Sequence, residues 1–167
     1  MTDKKEGTIP DFLNRTGVEF RKSEGGHLDF EYVELRRFSK WGFSVYCQIH
    51  YASPGGQALT IIAEPMEEFD SGLRTQILEL ANQKNSLSTF GHTVVGHAEK
   101  QQDGREIFMI SVTNNNITSD IPSDEVIRAL IDNIFHVVDD LYQDIVMSGM
   151  IPLNEIIGNN LTSSNDD

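Results

Sequence analysis

Between Trp41 and Tyr51 the chain alternates without a break. Trp41, Phe43, Val45, Cys47, Ile49 and Tyr51 share one parity, and Gly42, Ser44, Tyr46, Gln48 and His50 share the other. A period of two sustained over that length describes a β-strand with one buried and one wetter face. It commits the chain to a sheet packed on one side, and the flanking segments read as its neighbours. Ser53-Pro54-Gly55-Gly56 is a strong turn, after which Leu59 to Ala63 pairs back as the next strand. Upstream, Val18 and Phe20 alternate with polar residues, and Ser23-Glu24-Gly25-Gly26 supplies a hairpin turn. Leu28, Phe30 and Tyr32 then face one way, with a phase slip at Tyr32-Val33 that predicts a bulge or the strand's end.

Helices frame these strands. A short one is expected over Ile9 to Arg15, ended by Gly17. Pro65 suits a first helical turn, and Phe69, Leu73, Ile77, Leu80 and Ala81 recur at helical spacing to about Lys84, with Gly72 the weak point. Phe90 to Lys100 and Arg105 to Asn114 predict a second hairpin around Gln102-Asp103-Gly104. Phe108, Ile110 and Val112 occupy one face of its second strand, and Ile107 and Met109 make the other face apolar too. Ser123 is placed to cap a long last helix running to about Met147, with Asp124 and Glu125 at its positive end. The expected class is α+β: an antiparallel sheet in the order helix, strands, helix, two-stranded hairpin, long C-terminal helix.

That last helix carries more apolar surface than one contact needs. Ile127, Leu130, Ile131, Ile134, Val138, Leu141 and Ile145 form a stripe, widened by Phe135, Tyr142 and Val146 on one flank and by Val126 and Val137 on the other. The arc spans roughly 200°, against about 100° for a helix packed on a single surface. Either the helix is buried from two sides within one chain, or its flank meets another chain. Phe135, Tyr142 and Val146, with Ile107 and Met109 on the two-faced strand, are therefore the candidate partner or homodimer contacts.

The chain has 167 residues, 38% of them hydrophobic, enough for a core without disulfide or metal support. One domain is expected over residues 8–148. Residues 1–7 read as a charged, flexible tail, and 149–167 as a tail with a short apolar segment around Met150-Ile151-Pro152-Leu153. The net charge of −13, from 26 acidic and 13 basic residues, opposes nucleic acid and anionic lipid, whose binding rests on Lys and Arg meeting phosphate. No stretch approaches the length of a membrane span, the start lacks a signal-peptide pattern, and the single Cys47 lies among apolar residues. A reduced thiol and a cytoplasmic location are the expectation.

Catalytic and metal patterns are missing. His92 and His97 are five apart on an expected strand and so point to opposite faces. His27 and His50 lie near turns or strand ends, and His136 sits between Asp132 and Asp140 on the polar face of the last helix, where a solvated electrostatic pair is the ordinary outcome. There is no HExxH, CxxC, calcium loop, nucleophile elbow or phosphate loop. No catalytic residue, metal ligand or cofactor is assigned.

Three segments carry a family resemblance. Leu80-Ala81-Asn82-Gln83-Lys84-Asn85 closes the middle helix, Phe90-Gly91-His92 opens the hairpin after a short connection, and Ser123-Asp124-Glu125-Val126 opens a last helix containing Asp139-Asp140-Leu141-Tyr142. With the element order, this resembles the YbjN-type proteins and the type III secretion chaperones over roughly Ile9 to Ser148. The resemblance implies a small cytosolic monomer or homodimer that binds extended peptide segments of a client, without catalysis. An enzyme with a histidine and carboxylate cleft, around His136 or His92, and a structural subunit of a larger assembly are the alternatives.

Overall fold

The computed structural model describes residues 9–24, 30–41, 44–52, 58–65, 68–88, 90–117 and 123–150. Helix α1, Ile9–Thr16, buries Ile9, Phe12 and Leu13. It ends at Gly17, whose φ of +67° is a conformation that a Cβ would strain. There the Gly17 N–H donates to Asn14 O at 3.2 Å and the Val18 N–H to Leu13 O at 3.1 Å, satisfying the last helical carbonyls.

Strands β1 (Arg21–Glu24), β2 (Phe30–Phe38), β3 (Ser44–Ala52) and β4 (Ala58–Pro65) follow as antiparallel neighbours. Val33, Ile49 and Ile61 stand in register, as do Leu35, Cys47 and Ala63, and all six are buried. This layer is the alternation read from the sequence, with three corrections. β2 pairs with β3 continuously from Phe30 to Phe38, so there is neither bulge nor strand end at Tyr32-Val33. The buried face belongs to Val33 and Leu35, while Tyr32 lies on the other face, its ring stacked 5.2 Å from that of His50. β3 starts at Ser44, because Trp41 lies in the preceding turn and its indole N–H donates to Asp139 O at 3.3 Å.

The middle helix also starts later than its spacing suggested. Pro65 closes β4 opposite Val45, beyond the last β4 residue paired on the other side, where its missing N–H costs no ladder bond. Phe69–Asp70 forms a short β5, and the Asp70 carboxylate accepts from the Gly72 N–H at 2.8 Å, turning the chain through Ser71–Leu73 into α2, Arg74–Leu87.

The expected single hairpin is split. Its parts are β6 (His92–Val95), β7 (Glu99–Lys100), β8 (Glu106–Phe108) and β9 (Ile110–Ile117). β6 and β9 complete a six-stranded sheet ordered β1-β2-β3-β4-β9-β6, whereas β7 and β8 join β5 in a three-stranded sheet ordered β5-β8-β7. The break falls at Gly96, whose N–H donates to Met109 O at 2.9 Å and where an added Cβ would sit 2.9 Å from that same oxygen. Phe69 pairs in register with Phe108, their rings stacked 5.5 Å apart.

Helix α3, Asp124–Met147, packs on the core side of β4 and β9. Ser123 takes the N-cap position in extended conformation without a side-chain bond to the helix. Ile127, Ile131, Ile134, Phe135, Val138, Leu141, Tyr142 and Ile145 are buried, and Leu130 and Val137 are half-buried. On one side the Arg37 guanidinium covers the Phe135 ring at 4.9 Å; on the other the Tyr142 ring lies 5.9 Å from Phe69. The wide apolar arc is thus enclosed at Phe135 and Tyr142 by this chain's own residues. The molecule is α+β, with a long C-terminal helix against a mainly antiparallel layer. Of the expected tails, residues 1–8 and 151–167 lie outside the described residues, and Met150 is half-buried against the core.

Candidate binding groove

The sheet face turned away from α3 is built from the opposite parity. Tyr32, Glu34, Arg36 and Phe38 on β2 stand in register with His50, Gln48, Tyr46 and Ser44 on β3, and none is buried. Phe38 is 69% exposed, an unusual state for a large apolar ring. Arg36 organises this face: its guanidinium lies 5.1 Å from the Phe38 ring and 5.7 Å from Tyr46, and its Nε donates to Ser44 Oγ at 3.0 Å. Nη2 donates to Ser44 Oγ as well, and packing a cation against two rings fixes its position. Among the described residues Arg36 has no carboxylate partner.

Beside Arg36 the sheet edge changes. β1 covers β2 only from Glu31 to Glu34, since the chain between Gly17 and Arg21 swings away to reach α1. Among the described residues, Leu35–Phe38 therefore has β3 on one side and no strand on the other. The gap is a half-open groove of about 730 Å³ lined by residues that include Phe20, Arg21, Glu34, Arg36 and Tyr46. It combines aromatic surface, both signs of charge and a strand edge that no described strand pairs with, the three things an extended segment uses. A smaller hollow of about 230 Å³ lies nearby among Phe12, Val18, Arg128 and Ile131, where Arg37 and Asp132 pair at 2.7 Å.

The five residues singled out from sequence do not come together. Phe135 and Tyr142 are core residues, Tyr142 only 1% exposed. Ile107 is buried in the small sheet, Val146 is half-buried, and Met109 is exposed at the hairpin break. The groove residues Arg36 and Tyr46, and Phe38 against Arg36, were missed. Their signal was the outward parity of β2 and β3, which carries two rings and an arginine where small polar groups would suffice.

The titratable groups are dispersed as well. His50 Nε2 lies 3.1 Å from Gln48 Oε1, His136 Nε2 lies 3.4 Å from Asp140, and His92 and His97 are exposed apart from both. Asp132 pairs with Arg37, so it does not join His136. His27 lies outside the described residues. Burial pushes the Cys47 thiol up to about 12, with Arg37 pulling weakly the other way, so it stays protonated and unreactive. Among the described residues no three His, Cys, Asp or Glu side chains gather to hold a metal, and no helix is long and apolar enough to cross a membrane. No protein-family model and no curated protein sequence matches this chain.

Proposed function

We propose that this chain is a noncatalytic binding module, cytoplasmic in setting, that holds an extended segment of a protein or peptide client in the groove beside β2. The observation that carries the reading is the run Leu35–Phe38, without a strand on its outer side among the described residues, next to an arginine clamped between Phe38 and Tyr46. An added strand would find backbone partners there, with Phe20 and Tyr46 for alternate side chains and Arg36 for an acidic one. The acidic whole, at −13, argues against nucleic acid and anionic membranes as occupants. A second copy remains open to Met109 and Val146, the candidate contacts that keep exposed surface.

The test is selection from a random peptide library on the immobilised full chain, followed by titration of the recovered peptide monitored by amide resonances. The reading expects shifts concentrated at Leu35–Phe38, Phe20 and Tyr46, and weaker binding by Arg36→Glu. Failure to recover any peptide, or shifts mapping onto α3, would overturn it.

A further inference from the structure

The opposite edge of the six-stranded sheet is β6, and a side chain occupies it. In an antiparallel edge strand, alternate residues turn both N–H and C=O away from their neighbour. Thr93 is such a residue. Its N–H donates to Asn85 Oδ1 at 2.8 Å, and its C=O accepts from Asn85 Nδ2 at 2.9 Å. A carboxamide presents one acceptor and one donor side by side, as the peptide groups of an added strand would. Just beyond, the Gly96 C=O accepts from Arg74 Nε at 2.8 Å. Asn85 and Arg74 stand at opposite ends of α2, and each bonds the backbone of the edge segment through its side chain.

We propose that Asn85 is a guard on this edge, and that its carboxamide keeps a second copy of this chain from adding its own β6. The edge has what self-association needs. Its sequence, His92-Thr93-Val94-Val95, carries no acidic or basic side chain beyond one histidine, so the strand itself adds little to the repulsion between two chains of charge −13. Val94 and, at the end of α2, Leu87 are exposed, Leu87 at 86%. An antiparallel β6-to-β6 contact is self-complementary about a twofold axis, which lets one uncovered edge suffice for a closed dimer. The proposal is independent of what occupies the groove beside β2.

The experiment compares the full-length wild type with Asn85→Ala by sedimentation velocity over a wide concentration range, alongside hydrogen exchange at the Thr93 amide. Asn85→Ala is expected to exchange Thr93 about tenfold faster and to gain mass above the wild type as concentration rises. Adding Val94→Lys, a charged edge residue, should return the mass to the wild-type value. A merely structural role for Asn85 would lower stability without altering mass. Asn85→Ala with accelerated Thr93 exchange but wild-type mass at every concentration would overturn the proposal. Should Asn85→Ala fail to fold, Asn85→Ser puts one short hydroxyl in place of the carboxamide and cannot hold the Thr93 N–H and C=O together. The same two readouts then decide, an unchanged mass with accelerated exchange again counting against the guard.

Discussion

At the β6 end of the large sheet, the outward N–H and C=O of Thr93 are both taken by Asn85. At the β2 end, Leu35–Phe38 runs past the last β1 pairing at Glu34 with no strand beside it among the described residues. The closed edge is uncharged and carries an exposed Val94; the open one carries Arg36, with Arg21 and Glu34 lining the same groove. The difference follows the hazard. An uncharged strand can pair with any other strand, including its own copy, and is covered, whereas a charged edge selects its partner by complementarity and can stay accessible.

The largest effect expected from this comparison lies between the edges, in the aromatic contact that closes α3. Tyr142→Ala should cost about 3–5 kcal/mol in urea unfolding, independent of protein concentration, because the ring is a core group against Phe69. A midpoint that shifts with concentration would return Tyr142 to a subunit interface and blur the contrast.

Cys47 measures how far openness at β2 penetrates, since it pairs directly with Leu35 on the next strand. Its thiol is raised from 9.0 to about 12 by burial, so the folded chain keeps a proton that the unfolded chain gives up. Stability from this group is full below pH 9 and should fall by about 1.4 kcal/mol per pH unit as pH rises from there toward 12. Cys47→Ala should lack that slope. A wild-type thiol that titrates or reacts near pH 8 in the folded state would mean that β2 opens away from β3.

Arg36→Glu should weaken a groove-binding peptide tenfold or more, about 1.4 kcal/mol, while moving stability by less than about 0.5 kcal/mol. A large stability loss instead would make the Phe38-Arg36-Tyr46 stack a structural element. Smallest is the ion pair joining α1 to α3, Arg15 with Asp124 at 2.7 Å. Both side chains are about half exposed, so Arg15→Ala should cost under about 1 kcal/mol, less in high salt.

The elements legible in the sequence were those that one-sided burial writes as a regular period. The alternation of β3, the stripe of α3 and the glycine stop of α1 were read correctly because each depends on local spacing. The split of the hairpin was not legible. It depends on Gly96 meeting Met109 and on Phe69 finding Phe108, contacts between segments that carry no shared period. Pro65 misled because a helix start and the end of a strand tolerate the same missing N–H. The groove was hidden for a topological reason, since an open edge is defined by where β1 leaves β2. Asn85 gave no periodic signal; in the sequence it closed the Leu80–Asn85 segment that carries the family resemblance, and its use appears only once β6 lies beside α2.

Amide hydrogen exchange on the wild type without a partner tests the two-edge account most directly. The Thr93 amide should exchange slowly despite its edge position, held by Asn85, while the alternate amides of Leu35–Phe38 that face away from β3 should exchange orders of magnitude faster. Fast exchange at Thr93, or protection along the whole of Leu35–Phe38, would contradict it.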